Sequence, residues 1–262
     1  TQNDSHMYMT EEQVGQEFDD LLQFFKYIYE LCGIKGYWYR LSLPDFSKGK
    51  YSGDRDKWAN AAKVIQSSLE KSEEPFVAVE DEAAFYGPKL DVQIKNVQGK
   101  EDSIATVQID ILVPERMGIT YVDANGDKQF PVVIHKSIMG AFERFMGFLI
   151  EQTAGWFPLW LAPEQVRILT INDTVLNYVE EIEDVLKSTV LMKPVKYNEI
   201  RFSRDDRNES LGKKIREATT MKIPVQLIVG PKDKEAREVS VRTQSGEEKV
   251  SLNVLSEYLQ SL

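Results

Sequence analysis

The sequence predicts an α+β core with a mostly antiparallel sheet and helices, followed by an α/β domain with a mixed sheet of about five strands. Two patterns indicate this. Up to residue 157, segments that alternate apolar and polar residues follow one another between a few long helices. Beyond it, short apolar strands and helices alternate to the end of the chain. We therefore predict domains over residues 1–157 and 158–262.

Two helices are predicted in the first part. Thr10 to Gln13 reads Thr-Glu-Glu-Gln, a capping box, and apolar residues then recur every three or four positions from Val14 to Cys32. The sequence therefore predicts a long amphipathic helix just after residue 10. Residues 37–43 alternate like a strand, and a second helix is predicted over about 55–71.

Strands dominate the next stretch. Residues 90–95 and 106–113 each alternate apolar with polar side chains, which predicts one buried and one polar face for each strand. An Asn-Gly pair within 123–129 is typical of a hairpin turn. A strand over 131–135 and a helix from about Ser137 complete the predicted α+β core.

The second part is predicted as a regular series of strands and helices. In order, the segments are a strand over 165–171, a helix from about 174, a strand near 195–202, a helix from about 210, strands over 224–230 and 238–243, and a final helix.

Composition narrows the class of protein. A net charge of −10 argues against a protein that coats nucleic acid non-specifically, because that affinity comes mainly from phosphate neutralisation. The single cysteine cannot form an internal disulfide, and no apolar run reaches the roughly 18 residues that span a membrane. We expect a cytoplasmic protein without a membrane partner.

The charge is unevenly distributed. Residues 201–242 contain eleven Lys and Arg against seven Asp and Glu, a local excess of four positive charges. This stretch is either an ordinary solvated face or a locally basic contact for a specific partner.

Five segments together resemble one family. They are AAFYGPK (83–89), HKSIMGAFERFMGFLIE (135–151), FPLWLAPEQV (157–166), DDRNESLGKKIREA (205–218) and VSVRT (239–243). In this order they are similar to threonyl-tRNA synthetases, which are class II aminoacyl-tRNA ligases. The resemblance implies the second part of a class II catalytic domain followed by an anticodon-binding domain.

The resemblance also implies an activity. Family members activate threonine with ATP and Mg²⁺ and transfer it to the 3′ end of threonine tRNA, commonly as homodimers, and they do not act on DNA. TQNDSH (1–6) resembles the second half of the family's motif 2. The editing domain, motif 1 and the motif 2 arginine precede this point in the family. We therefore expect a C-terminal fragment or a shortened relative that is inactive alone; the alternative is a non-catalytic tRNA-binding relative.

The resemblance assigns roles to residues around the predicted sheet. His6 and His135 match two ligands of a catalytic Zn²⁺ whose third ligand, a cysteine, lies upstream in the family; Cys32 reads instead as part of a helix core. Asp4, Tyr86 and Gln108 match threonine-binding positions. Gln2, Lys89 and Arg144 match ATP contacts, and Lys89 and Arg144 would act in catalysis. The alternatives without a role in binding are a solvated acid for Asp4, a half-buried aromatic for Tyr86 and an exposed strand position for Gln108.

Five residues of the basic second part match tRNA anticodon contacts in the family: Asn208, Lys222, Lys232, Asp233 and Arg242. Their chemistry suits the task, because Asn, Arg and carboxylate groups read base edges while lysine suits phosphate. Four positions of the first part depart from the family pattern: Ser103, Ala105, Lys136 and Ala141.

Overall fold

The computed structural model describes residues 1–191 and 198–262. They form two compact units. The first unit comprises Thr1–Glu30 and Ile34–Gln152, and the second comprises Leu31–Gly33 and Thr153–Leu262. In the described residues, no helix is both long enough and apolar enough to cross a bilayer.

The first unit is built on a six-stranded sheet. The strands of this unit are β1 (Ser5–Met9), β2 (Trp38–Leu43), β3 (Phe76–Glu80), β4 (Lys89–Lys95), β5 (Glu101–Asp110), β6 (Tyr121–Val122), β7 (Lys128–Gln129) and β8 (Val132–Ser137). β6 and β7 form a separate two-stranded sheet. The helices of the unit are α1 (Val14–Cys32), α2 (Arg55–Ser72), α3 (Val113–Met117) and α4 (Phe142–Thr153). The sheet order is β1-β8-β5-β4-β2-β3, and only the β2–β3 pair is parallel. The mostly antiparallel sheet is thus confirmed.

The predicted helices α1 and α2 are present. The backbone N–H of Thr10 donates to Oε1 of Gln13 at 2.9 Å, which is one half of the predicted capping box. Apolar residues of α1 such as Phe18, Phe25 and Tyr29 are fully buried. Their three- and four-residue spacing therefore marks the face that packs into the core.

The polar faces of β4 and β5 differ from the prediction. Asp91 and Gln93 are each 3% exposed and Asp110 is 1% exposed, so these side chains do not face bulk water. The alternation of apolar and polar residues correctly indicated one apolar and one polar face for each strand. In the structure, however, these polar side chains are also shielded from bulk water. The polar face is the floor of a cavity described below.

Two element boundaries also differ. β5 ends at Asp110, because its side chain accepts hydrogen bonds from the backbone N–H groups of Leu112 and Val113 and turns the chain into α3. The helix predicted from Ser137 begins only at Phe142, since β8 runs on to Ser137 and Gly140 then adopts a left-handed conformation with φ of 58°. The edge strand β3 was not predicted.

The second unit has a mixed five-stranded sheet, as predicted. The strands of this unit are β9 (Val166–Thr170), β10 (Val190–Leu191), β11 (Asn198–Glu199), β12 (Phe202–Asp205), β13 (Val225–Val229), β14 (Glu238–Thr243) and β15 (Gly246–Ser251). β10 and β11 form a separate two-stranded sheet. The helices of the unit are α5 (Leu176–Ser188), α6 (Leu211–Thr220), α7 (Pro231–Ala236) and α8 (Leu255–Ser261). The sheet order is β12-β9-β13-β14-β15, parallel over the first three strands. Part of the strand predicted near 195–202 lies outside the described residues.

The two faces of this sheet have different surroundings. On one face, the valines and leucines of β13 and β14 pack against α5 and α8 in a fully buried core. On the other face, α6 packs against β9. The strand register places polar residues of β13, β14 and β15 on that second face as well: Gln226, Ser240, Arg242, Glu247 and Lys249.

Candidate functional site

The first unit contains a cavity of about 490 Å³ over the polar side of β4, β5 and β8. Most of the residues that the sequence predicted for an active site line it: Gln2, Asp4, Tyr86, Lys89, Gln108, His135 and Arg144. These side chains come from segments up to about 140 residues apart in the chain, so the fold brings them together.

His6 and His135 lie side by side. They face each other across the antiparallel β1–β8 pair, with ring centroids 4.5 Å apart and ring planes at 81°. His6 is exposed, whereas the side chain of His135 is 25% exposed. The two imidazole rings therefore bring nitrogen atoms that can bind a metal ion to one point of the sheet.

Asp110 holds His135 in place. Oδ2 of Asp110 lies 3.1 Å from Nε2 of His135, and its Oδ1 accepts the two backbone N–H groups that begin α3. Because a carboxylate can only accept, this contact places a proton on Nε2. When His135 is neutral, the lone pair of its Nδ1 is then available to bind a metal ion.

The donors suit part of a zinc site. Neutral imidazole is a common zinc ligand, and two neighbouring imidazoles supply two of the protein ligands that such a site needs. Within the described residues, no group of three His, Cys, Asp or Glu side chains could hold a metal ion. Cys32 is buried, and burial raises the pKa of its thiol. It is the last residue of α1, and its burial agrees with the prediction that it is a core residue.

Tyr86 and Gln108 contact each other at the wall of the cavity, where the Tyr86 hydroxyl donates to Oε1 of Gln108. Burial, together with the negative charges of Asp110 and Asp4, raises the pKa of Tyr86. The phenol therefore stays protonated at neutral pH and can donate a hydrogen bond. The segment that carries it lies directly on β5: a Cβ at Gly87 would be 1.7 Å from the carbonyl oxygen of Ile109.

Lys89 is held by a buried acid. Its ammonium lies 2.8 Å from Oδ2 of Asp91, which also accepts from Nη2 of Arg40 at 3.1 Å. Asp91 and Asp110 were not among the predicted site residues. Their signal was an acidic residue inside a strand whose neighbours are apolar, which requires a buried partner.

Arg144 lies in the first turn of α4 and forms an ion pair with Asp102 at 2.7 Å. Its side chain is 54% exposed, so it borders the cavity while remaining accessible. Gln2 bridges to Ala141 at the same border. The four positions that depart from the family pattern line this cavity too: Ser103, Ala105, Lys136 and Ala141.

The five residues predicted to contact an anticodon fall into two groups. Asn208 follows β12, and Lys232 and Asp233 follow β13, so they lie at the carboxyl edge of the parallel strands. Lys222 precedes β13, and Arg242 pairs with Gln226 near the start of that strand. These two residues lie toward the opposite edge.

Some of these groups already have partners. Asp233 is 6% exposed; it accepts from the N–H of Gly230 at 2.9 Å and from the ammonium of Lys249 at 3.0 Å. Arg242 forms an ion pair with Glu247 at 3.3 Å, and both side chains remain exposed. Lys232 borders a cavity of about 570 Å³ on the polar face of the sheet. Lys222 lies 5.1 Å from the ring centroid of Trp156.

The basic stretch 201–242 is less open than its composition suggests. Lys214 is 1% exposed, and Arg207 is paired with Asp205 and with Glu217. Arg237 is paired with Glu181. Several positive charges therefore serve the fold, and the local charge excess does not measure the charge available to a partner.

Comparisons with known proteins match a different domain family to each of the two units. Residues 1–153 match the tRNA synthetase class II core domain (G, H, P, S and T), and residues 165–262 match the anticodon binding domain. The chain therefore belongs to the class II tRNA synthetase family, with a core domain followed by an anticodon-binding domain.

Within that family, the curated relatives are threonine–tRNA ligases. Those of Staphylococcus carnosus (strain TM300) and Staphylococcus aureus (strain JH9) are 42% and 41% identical over 244 residues. The match covers 92% of this chain and 36% of each relative, so the chain spans little more than a third of their length.

The solved structures with a similar fold include a threonyl-tRNA and a prolyl-tRNA synthetase. The RNA binding domain of threonyl-tRNA synthetase from Cryptosporidium parvum Iowa II has a TM-score of 0.84 at 26% identity, covering 99% of this chain and 63% of that chain. Prolyl-tRNA synthetase from Cryptosporidium parvum has a TM-score of 0.65 at 18% identity, covering 98% and 50%, and shows the shared fold.

Proposed function

We propose that the chain is the C-terminal part of a threonine–tRNA ligase, which activates threonine with ATP and transfers it to threonine tRNA. The observation that carries this proposal is the cavity that gathers Asp4, Tyr86, Gln108 and His135 together with Lys89 and Arg144. Its partners would be threonine, ATP with Mg²⁺ and threonine tRNA, and the full-length enzyme would be a homodimer.

The amino acid would occupy the part of the cavity near His135. Tyr86 and Gln108 offer a protonated phenol and an amide, and Asp4 offers an acceptor for a hydroxyl group. Groups that require a hydroxyl discriminate against valine, because valine would leave them buried and unpaired. This chemistry favours threonine over its apolar isostere.

His6 and His135 would hold a zinc ion, with a cysteine from outside these 262 residues as the third protein ligand. When bound, zinc supplies a Lewis acid with a coordination position open to the substrate. Elemental analysis of a protein long enough to contain all three ligands tests the assignment. Its His135→Ala variant should lose zinc, and equal zinc content in both proteins would rule this ligand out.

ATP would lie toward Gln2, Lys89 and Arg144. A planar, accessible guanidinium such as that of Arg144 can stack on a base and also donate hydrogen bonds. The ammonium of Lys89 suits a phosphate, and positive groups fixed in advance stabilise the charge that develops during phosphate displacement. Asp91, which is itself paired with Arg40, holds Lys89 in position for that role.

Catalysis would require more than these 262 residues, because the resemblance places the motif 2 arginine outside them. Losing one such preorganised charge typically costs about a hundredfold or more in rate. We expect no threonine-dependent pyrophosphate–ATP exchange from the 262-residue polypeptide, and exchange from a protein with the length of the curated relatives. Exchange at the same rate by both would contradict the division of the site proposed here.

The second unit would bind the anticodon of threonine tRNA. Arg242 is exposed and can donate to a base edge, whereas Lys232 suits a phosphate. Arg242→Ala should lose roughly 1–3 kcal/mol of binding free energy and relax discrimination among anticodons. Lys232→Ala should weaken all stem-loops alike and flatten the salt dependence. Binding to anticodon stem-loops at two salt concentrations tests both, and equal binding of threonine and unrelated stem-loops would refute the assignment.

A further inference from the structure

Lys214 is a buried cation that the proposed function does not use. It lies in α6 and is 1% exposed. Its ammonium donates to the carbonyl oxygens of Thr170 at 2.9 Å and Asp205 at 3.1 Å, and to Oγ1 of Thr170 at 3.3 Å. A buried ammonium is costly unless its donors are satisfied, and these three acceptors match its three N–H groups.

The acceptors of the Lys214 ammonium lie at the ends of two strands. Thr170 and Asp205 are the last residues of the neighbouring parallel strands β9 and β12. Lys214 therefore ties together the carboxyl ends of two strands. The chain that leaves β12 at this point is residues 206–210, which carries the exposed Asn208.

A second set of contacts holds the same segment from its other side. The carboxylate of Asp205 is 6% exposed and accepts from Nε of Arg207 at 2.9 Å and from its Nη2 at 2.6 Å. Arg207 also reaches Glu217 on α6 at 2.5 Å. Asn208 thus follows directly on a residue that is anchored both to the end of β12 and to α6.

We propose that Lys214 is a positioning residue for anticodon recognition: it fixes the segment 206–210 so that Asn208 is presented to RNA in its bound arrangement. The inference rests on the proposed anticodon function of the second unit. A segment that is already ordered avoids part of the conformational cost of binding. Lys214 touches no RNA in this proposal and acts through Asn208.

The test is a double-mutant cycle in the 262-residue chain. The dissociation constant of the threonine anticodon stem-loop is measured for the parent chain, Lys214→Met, Asn208→Ala and the double variant. Lys214→Met should weaken binding by about threefold to tenfold, which corresponds to the cost of ordering about one side chain. The double variant should bind no more weakly than Asn208→Ala, because Lys214 acts through that residue. Additive losses, or unchanged binding by Lys214→Met, would overturn the proposal.

Folding and function are separated by two controls. Circular dichroism and thermal unfolding show whether Lys214→Met is folded at the assay temperature. If it is not, Lys214→Gln replaces it in the cycle, since a side-chain amide at this position can still donate to a strand-end carbonyl; the same non-additivity with Asn208→Ala supports the proposal and additivity refutes it. A parent chain that does not distinguish threonine from unrelated stem-loops contradicts the proposed function itself.

Discussion

At the scale of single residues, Asp110 is the side chain on which the state of His135 depends. Its Oδ1 is committed to the two backbone N–H groups of Leu112 and Val113, and only its Oδ2 is left for the imidazole. An asparagine at this position could not flip freely, because a reversed amide would turn its NH₂ toward those two backbone donors. The residue therefore controls which histidine nitrogen carries the proton.

We predict that Asp110→Asn reverses the tautomer of His135. The new amide NH₂ would donate to Nε2, so that the proton of the neutral ring moves to Nδ1. Long-range ¹H–¹⁵N NMR spectra of the imidazoles at a pH where both are neutral measure this directly, and the chain has only two histidines. His6, which has no contact with Asp110 among the hydrogen bonds described, is the internal control. An unchanged His135 spectrum would disprove the role of Asp110.

At the scale of elements, the segment that carries Tyr86 depends on the missing side chain of Gly87. A Cβ there would lie 1.7 Å from the Ile109 carbonyl oxygen of β5, far inside van der Waals contact. Gly87→Ala should force the segment away from β5 and cost roughly 2 kcal/mol or more in the free energy of unfolding. Urea denaturation measures the loss.

Gly147 provides the matched control for this substitution. It is an exposed residue inside α4, and a Cβ there would meet no atom within 4 Å. Gly147→Ala should therefore leave stability unchanged or raise it by about 0.5–1 kcal/mol, since alanine favours the helix. If both alanine variants behaved alike, the close approach at Gly87 would not be what limits that position.

At the scale of the whole molecule, the chain consists of two compact units, and a compact unit with its own core can fold independently. The second unit has its own buried core of α5, α8 and the five-stranded sheet. We predict that residues 158–262 fold alone, since about a hundred residues with a separate core is a usual domain size. Circular dichroism and a single cooperative urea transition would show this.

Leu227→Ala is the control for that experiment. Leu227 is fully buried in β13, and truncating it should cost about 2–5 kcal/mol if the isolated segment has the native core. A broad transition that Leu227→Ala does not shift would mean that the isolated segment lacks this core.

The kinds of element and much of their order follow from local patterns in the sequence. The spacing in α1 and the alternation in β4, β13 and β14 are local, because each follows from where successive side chains point along one helix or strand. The resemblance carried by short motifs likewise indicated the family and the residues worth examining. These predictions needed no knowledge of which segments pair.

What covers each face of a strand or helix depends on the tertiary structure. Asp91 and Asp110 lie on strand faces that were predicted to be polar, yet pairing with β2, β5 and β8 buries them and makes them partners of Arg40 and His135. Lys214 read as one of many basic residues, yet its ammonium lies between the ends of two strands. Burial and charge pairing depend on residues far apart in the chain, and a local pattern cannot specify them.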